Sequence, residues 1–90
     1  MAAYRVLLKR SAAREIDALP SKKDRQRVVR RIEALAQAPR PHGSEKLAGQ
    51  VDRYRIRQGR YRIVYSIEDK AATVIVFKVA HRKEVYRGTT

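Results

Sequence analysis

Cysteine and tryptophan are absent from this 90-residue chain, and phenylalanine and methionine occur once each. Without cysteine the chain can form neither disulfide bonds nor a thiolate nucleophile, and the common cysteine-based zinc sites are excluded. Its two histidines, His42 and His81, stand far apart and lack the close spacing that is typical of metal ligands. We therefore expect no metal ion and no other cofactor.

Long apolar runs are also missing. No stretch of about 18 apolar residues could cross a bilayer, and charged residues interrupt the first ten positions, where a signal peptide would need an apolar core. The sequence predicts a cytoplasmic protein with no membrane contact. A chain of 90 residues is near the lower limit for one self-sufficient hydrophobic core, so we expect a single domain over residues 1–90.

Acidic residues are scarce: nine Asp and Glu stand against 22 Lys and Arg, which gives a formal net charge of +13. Such a charge opposes compaction by self-repulsion and is usually matched by an anionic partner. We expect that partner to be a nucleic acid or an acidic protein. A membrane surface is less favoured, because the basic residues are not confined to one amphipathic terminal helix.

The apolar periodicity predicts an α+β fold. Alternation over residues 4–8 predicts a first strand, and Ser11 and Ser21 stand at N-cap positions of a short helix and of a longer helix that ends before Pro39. Period-two segments then predict three strands, at 53–57, 60–68 and 73–80, with turns at 58–59 and 69–70. The three strands form an antiparallel meander, and both helices pack on one face of a single sheet.

The second predicted helix carries a basic face, made of Lys22, Lys23, Arg25, Arg27, Arg30 and Arg31. A nucleic-acid-binding stripe is one interpretation. A run of charges on an amphipathic helix is more often its solvated face, and we adopt that interpretation from the sequence.

A two-residue turn at Gln58-Gly59 would sort arginines onto one face of the sheet. It pairs Arg57 with Arg60 and Arg55 with Arg62, so that the face away from the helices holds Arg53, Arg55, Arg57, Arg60 and Arg62. Like charges opposite one another destabilise a sheet, so the arrangement predicts a bound anion. An even-length turn near Asp69-Lys70 would bring His81 to the edge of this cluster.

The same face should carry an apolar patch, formed by Val64, Ile75, Phe77 and Val79. A patch of this kind favours cover by a partner, and an amphipathic helix or strand of another protein would suffice. Alternatively the patch is small, and arginine stems shield it.

Four segments stand out: Leu47-Ala48-Gly49, Tyr54-Arg55-Ile56-Arg57, Gly59-Arg60-Tyr61-Arg62-Ile63-Val64-Tyr65 and His81-Arg82-Lys83-Glu84-Val85-Tyr86. Their order and spacing resemble the RelE family of toxins in the RelE/ParE superfamily, over essentially the whole chain. The resemblance implies the toxin of a type II toxin–antitoxin system. It implies a metal-independent, ribosome-dependent endoribonuclease that cleaves mRNA and inhibits translation, and that is held inactive by a cognate RelB-like antitoxin.

In that family the ribose 2′-hydroxyl attacks the adjacent phosphate, and fixed guanidinium groups suit the charge that develops on its oxygens. The resemblance places the active-site residues at Arg55, Arg57, Arg62, Arg82 and Tyr86. We expect further RNA contacts from Arg53, Arg60 and Lys83.

Positions 55 and 57 depart from the pattern, because the best-known members of the family carry lysine there. Arginine is a poor proton acceptor, with a pKa above about 12. Near the predicted cluster, His81 is the residue whose side-chain type most often serves as a general base. It is a candidate for the general base or for a nucleobase contact, with a purely structural role as the alternative.

Two other functions compete with the ribonuclease. A ParE-like toxin shares the fold but inhibits DNA gyrase and is not a nuclease. A basic RNA-binding module would use the arginines only to neutralise phosphate. The presence of Arg62, Arg82 and Tyr86 favours the ribonuclease over the gyrase inhibitor, whereas only cleavage separates it from the binding module.

Overall fold

Two helices and five strands make up the part of the chain that the computed structural model describes, residues 3–49, 51–81 and 83. In chain order they are β1 (Arg5–Leu8), α1 (Arg10–Asp17), α2 (Lys22–Ala34), β2 (Glu45–Lys46), β3 (Arg53–Gln58), β4 (Tyr61–Glu68) and β5 (Thr73–His81). The predicted α+β fold is confirmed. No helix in these ranges is long and apolar enough to cross a membrane.

The two helices begin in different ways. At the start of α2 the Ser21 hydroxyl accepts a hydrogen bond from the backbone N–H of Asp24 at 3.2 Å, as the capping pattern predicts. α1 begins at Arg10, one residue before the predicted cap, and Lys9 at its N-cap makes no side-chain capping bond. The predicted cap at Ser11 was therefore wrong.

The five strands form one sheet in the order β1-β5-β4-β3-β2. The pairs β2–β3, β3–β4 and β4–β5 are antiparallel, whereas β1 runs parallel to β5, with Arg5 opposite Thr73. β5, the last strand of the described residues, therefore lies inside the sheet. β2 was not predicted, because its two charged residues show no apolar alternation.

The core lies between the sheet and the helices. Its largest fully buried side chains come from α2, the turn that follows it and the three long strands: Val28, Leu35, Ile56, Ile63, Tyr65, Ile67, Val74, Val76 and Val79. Burying one such aliphatic side chain stabilises the fold by about 1.5–3 kcal/mol. The Tyr65 ring stacks on Tyr54 at 5.9 Å between centroids, and the Tyr65 hydroxyl donates to the Pro39 carbonyl at 2.8 Å.

A polar cluster ties the loop after α2 to the sheet. The Tyr4 hydroxyl donates to Asp69 Oδ1 at 2.6 Å, and Arg40 Nη2 lies 2.8 Å from Asp69 Oδ2. Arg40 Nε also donates to the Tyr54 hydroxyl at 3.1 Å. The hydrogen bond from Arg40, followed by that from Tyr4, lowers the pKa of Asp69 to about 2.

The β3–β4 turn lies one residue later than predicted. Arg57 pairs with Arg62 and Gln58 with Tyr61, so the turn residues are Gly59 and Arg60. Gly59 has a φ of 59°, a value that suits a tight hairpin turn and that glycine adopts without strain. The predicted pairing of Arg57 with Arg60 was wrong. Because the register shifted by two residues, the strand residues kept their predicted faces.

A β-bulge divides β5 into two parts. Tyr65 pairs with Val76, but Val64 pairs with Lys78, so Phe77 is an extra residue on β5. Before the bulge Ile75 lies on the predicted face, whereas beyond it the alternation is inverted. Val79, opposite Ile63, and His81, opposite Tyr61, therefore belong to the helix side of the sheet.

Candidate functional site

Four arginines occupy the sheet surface away from the helices, which we call the arginine face: Arg53, Arg55, Arg57 and Arg62. Arg57 and Arg62 are direct cross-strand neighbours, and Arg55 lies one row further along, opposite Val64. Arg60, predicted to share this face, is instead exposed in the β3–β4 turn. Opposed like charges destabilise a sheet, so an anion bound at Arg57 and Arg62 would relieve their repulsion.

An acidic residue adjoins the arginines. Glu45 of β2 pairs with Arg55 of β3, and its Oε2 lies 3.3 Å from Arg55 Nη2. The Glu45 side chain is 67% exposed, so the carboxylate is open to a ligand. A carboxylate can accept a proton, which a guanidinium cannot. Glu45 thus supplies a chemical property that the arginines lack.

Sequence reasoning missed Glu45. The two-residue strand that carries it has no periodicity, and nothing in the sequence pairs it with Arg55. The only signal was its position two residues before Leu47, in one of the segments that carry the family resemblance.

Two of the predicted partner contacts are buried within the chain itself. Val79 is 2% exposed in the main core, because the bulge turns it toward the helices. Val64 is 5% exposed and packs with Ala80, and Leu47 covers them. The prediction that both form an exposed antitoxin contact was wrong, because the main core takes up Val79, whereas Leu47, after β2, covers Val64.

Phe77, at the bulge, is shielded by cations. The Arg53 guanidinium carbon lies 3.7 Å from the Phe77 ring centroid, and Lys9 Nζ lies 4.8 Å from it. Cation–π contacts of this kind stabilise by about 0.5–1 kcal/mol at exposed sites. The alternative of shielding by arginine therefore applies at Phe77, and Phe77 and Ile75 remain half-buried.

His81 lies on the other side of the sheet from the arginines. Its ring meets the Tyr61 ring edge-to-face, with 6.1 Å between centroids, whereas the residue opposite Arg62 is Ala80. With Glu15, Leu19 and Pro20 it lines a cleft of about 330 Å³ beside the end of α1. The predicted position of His81 at the edge of the arginine cluster was wrong, because the sequence gave no sign of the bulge.

The remaining predicted residues lie at the end of the chain. Lys83 is exposed just beyond β5, and its backbone N–H donates to His81 Nδ1 at 3.4 Å. Arg82 and Tyr86 lie outside the described residues, and their roles stay predictions. Within the described ranges, the structure thus brings together Arg55, Arg57 and Arg62 with Glu45; these ranges contain no group of three or more His, Asp or Glu that could hold a metal ion.

Comparison with known families identifies one sequence relationship over most of the chain. The model of the family described as "ParE toxin of type II toxin-antitoxin system, parDE" matches residues 6–86. A curated relative, Toxin RelG of Mycobacterium tuberculosis, is 45% identical over 31 residues. That alignment covers 34% of this chain and 36% of RelG, so it spans about a third of the relative's length.

Solved structures match over nearly the whole fold. A chain of the RelBE2 toxin–antitoxin complex of Mycobacterium tuberculosis is similar with a TM-score of 0.77 and 28% identity, covering 89% of this chain and 99% of that one. A chain of the RelE–RelB complex of Pyrococcus horikoshii has a TM-score of 0.78 and 29% identity, and the match covers 89% of this chain and 96% of that one. The isolated E. coli RelE toxin has a TM-score of 0.76 and 29% identity, and the match covers 96% of this chain and 94% of that one.

Proposed function

We propose that this chain, which belongs to the ParE toxin family of type II toxin–antitoxin systems, arrests growth as a RelE-type endoribonuclease that cleaves mRNA on the ribosome. The observation that carries this proposal is the arrangement of Arg55, Arg57 and Arg62 on the arginine face, next to the carboxylate of Glu45. This arrangement combines phosphate-binding groups with a proton acceptor.

The arginines suit the transition state of RNA cleavage. Attack of the 2′-oxygen on phosphorus increases the negative charge on the nonbridging oxygens and on the departing 5′-oxygen. Planar guanidinium groups bind such oxygens in pairs, and they stabilise the transition state most when they are already in position. Arg57 and Arg62 hold adjacent positions on paired strands, so little reorganisation is needed. Arg82 and Tyr86 complete the proposed site by resemblance.

Glu45 is the proposed general base. It takes the proton of the 2′-hydroxyl while the O2′–P bond forms and the P–O5′ bond breaks, and water protonates the departing 5′-oxygen. The products are a 2′,3′-cyclic phosphate and a 5′-hydroxyl end. His81 is less suited to this step, because it lies on the helix side of the sheet beside Tyr61.

The test is primer extension on a defined mRNA with purified translating ribosomes. Arg62→Ala is expected to slow cleavage by about 10²-fold or more, as the loss of a transition-state donor does. Arg5→Ala is the matched control, because it removes an exposed arginine from β1, at the far side of the sheet from β3. No cleavage by a folded, growth-arresting wild type would overturn the proposal.

A second pair of variants tests the base. Glu45→Gln is expected to slow cleavage by about 10²–10⁴-fold, the range of general-base catalysis. Glu68→Gln, an exposed acid at the end of β4, should cleave at the wild-type rate. A folded Glu45→Gln variant that cleaves as fast as Glu68→Gln would exclude Glu45 as the base.

We also propose a cognate RelB-like antitoxin as the partner that covers the arginine face. Several of the similar structures are complexes with RelB antitoxins. In this chain Leu7 is 45% exposed and pairs with the half-buried Ile75, near Phe77. An acidic, amphipathic antitoxin segment could cover this apolar strip and the arginines together.

The family's ParE description supports one competing function, inhibition of DNA gyrase. A supercoiling assay with purified gyrase distinguishes the two. Inhibition of supercoiling without RNA cleavage would favour the gyrase-directed function.

A further inference from the structure

A second cationic site lies on the helix side of the sheet. One turn of α2 brings Arg27, Arg30 and Arg31 onto the same side of the helix, because their spacing of three and four residues matches the helical repeat. With Ala34 and Gln58 these arginines line a shallow depression of about 350 Å³. Gln58 reaches it because it pairs with Tyr61, on the face of β3 that is turned toward the helices.

The depression lacks an internal counter-charge among the described residues. The ion pairs of the described residues join Arg40 to Asp69, Arg55 to Glu45 and Lys78 to Glu15, and no residue of α2 takes part in them. Two acids, Asp17 and Glu33, line a separate depression that Arg30 also borders. Three guanidinium groups within one turn therefore repel one another, and an anion between them would relieve this repulsion.

Arg31 gives a second indication of a ligand. Its Nε atom is buried and has no hydrogen-bond partner in the described part of the chain. A buried donor without a partner is unfavourable. Guanidinium groups match phosphate oxygens in geometry as well as in charge, so a turn of the Arg31 side chain toward an oxyanion among the arginines would give this donor a partner.

The lining identifies the chemical class of the ligand. It contains three arginines, one glutamine and one alanine but no aromatic ring, so it favours contacts to phosphate over the base stacking that aromatic side chains provide. Contacts to phosphate position a protein on a nucleic acid without reading its sequence. Such a site would therefore orient the toxin on RNA.

We propose that Arg27, Arg30, Arg31 and Gln58 bind a backbone phosphodiester of a second RNA segment, distinct from the strand that is cleaved. The β3–β4 hairpin separates this depression from Arg57 and Arg62, which lie on its opposite face. The inference rests on the proposed function, in which the ribosome supplies that second RNA. It replaces the solvated-face interpretation of this part of α2.

The first test compares two double variants that remove the same charge. Arg27→Gln/Arg30→Gln changes two exposed arginines of the depression, and Arg10→Gln/Arg14→Gln changes two exposed arginines of α1. Dissociation constants are measured over a salt series, both for ribosomes carrying an mRNA and for a short single-stranded RNA. The kcat for cleavage is measured at saturating ribosome concentration.

The α2 variant is expected to bind ribosomes at least tenfold more weakly than the α1 variant. Its plot of log K against log salt concentration should be less steep by about 0.7–0.9 for each lost phosphate contact. Its affinity for the short RNA and its kcat should stay within about twofold of the α1 variant.

A second variant tests the depression without removing an arginine. Gln58→Glu places a carboxylate among the arginines, where it would compete with the phosphate, and it should weaken ribosome binding as the double variant does. Gln37→Glu is the control, because it adds the same charge at an exposed turn position. Equal weakening by Gln58→Glu and Gln37→Glu would overturn the proposal.

Three other results would also overturn it. Equal effects of the α1 and α2 double variants would point to bulk charge alone, and a large fall in kcat would assign the arginines to the cleavage step. Equal weakening toward the short RNA would place the cleaved strand itself in the depression. If the wild type binds ribosomes but never cuts mRNA, the proposed function fails, whereas the comparison of affinities still tests the site.

Discussion

At the scale of single residues, the polar cluster at Asp69 shows how a surface carboxylate can hold distant segments together. Asp69 accepts hydrogen bonds from Tyr4 in the first strand region and from Arg40 in the loop after α2. The two donors are separated by both helices in the sequence. Their bonds favour the ionised carboxylate, which is why the pKa of Asp69 falls to about 2.

This lowered pKa predicts a pH dependence of stability. The folded pKa of about 2 lies below the value of about 3.9 for an unfolded aspartate. The contribution of Asp69 should therefore be complete above about pH 4 and should be lost as the pH falls toward 2. In urea denaturation, the difference in free energy of unfolding between the wild type and Asp69→Asn should shrink over that range.

The control for this experiment is Asp52→Asn. Asp52 is exposed and has a φ of 55°, which asparagine tolerates well. A difference between the wild type and Asp69→Asn that stays constant from pH 6 to pH 2, or an Asp52→Asn variant with the same pH dependence, would contradict the assignment.

At the scale of elements, one side chain joins α1 to the inverted part of β5. Glu15 Oε1 accepts the backbone N–H of Val79 at 2.8 Å, and its Oε2 lies 3.3 Å from Lys78 Nζ. Both partners follow the bulge at Phe77. The carboxylate thus satisfies a partly buried backbone donor at the point where the alternation of β5 changes.

Glu15→Ala is expected to destabilise the fold by about 1–3 kcal/mol, because it leaves the Val79 N–H without a partner. Glu15→Gln keeps an acceptor oxygen and should lose less. Asp17→Ala, at the exposed end of α1, should change stability by less than about 0.5 kcal/mol. Chemical denaturation measures all three, and an equal loss for Glu15→Ala and Asp17→Ala would refute the role of the Glu15–Val79 bond.

The same bulge marks the limit of what the sequence predicts. Turn residues and apolar alternation were sufficient to predict the α+β fold and the faces of β3 and β4. Moving the hairpin turn by one position shifts the pairing of the strands by two residues, so each side chain stays on its predicted face of the sheet. In β5 nearly every residue around the bulge is apolar, so the pattern does not distinguish the two faces. Val79 and His81 were therefore assigned to the wrong side.

The candidate site, like the fold, was predicted from the sequence only in part. The positions of Arg55, Arg57 and Arg62 followed from the alternation of basic and apolar residues along two paired strands. Glu45 could not be found in this way, because its neighbourhood depends on a pairing between β2 and β3 that only tertiary structure creates. Arg27, Arg30 and Arg31 were visible as a helix face, but the contribution of Gln58 was not.

At the scale of the whole molecule, the net charge of +13 acts on folding and on binding in opposite ways. Mutual repulsion opposes the compact state, and salt screens it. We expect the free energy of unfolding of the isolated chain to rise by on the order of 1 kcal/mol between 50 and 500 mM sodium chloride. Its affinity for RNA should fall steeply over the same range.

Urea denaturation at several salt concentrations measures the first effect, and RNA titrations measure the second. Potassium chloride should give the same increase in stability as sodium chloride, because ionic strength is the cause. A midpoint that is constant or falls with salt would show that charge repulsion does not limit the stability of the folded chain.

The position of β5 also affects how the chain folds during its synthesis on the ribosome. This strand is the last of the sheet to be synthesised, yet it separates β1 from β4 and supplies the pairing surface for both. While β5 is still inside the exit tunnel of a ribosome, β1 has no neighbour and the core lacks Val74 and Val76. The sheet and its core can therefore be completed only after the residues up to His81 have left the exit tunnel.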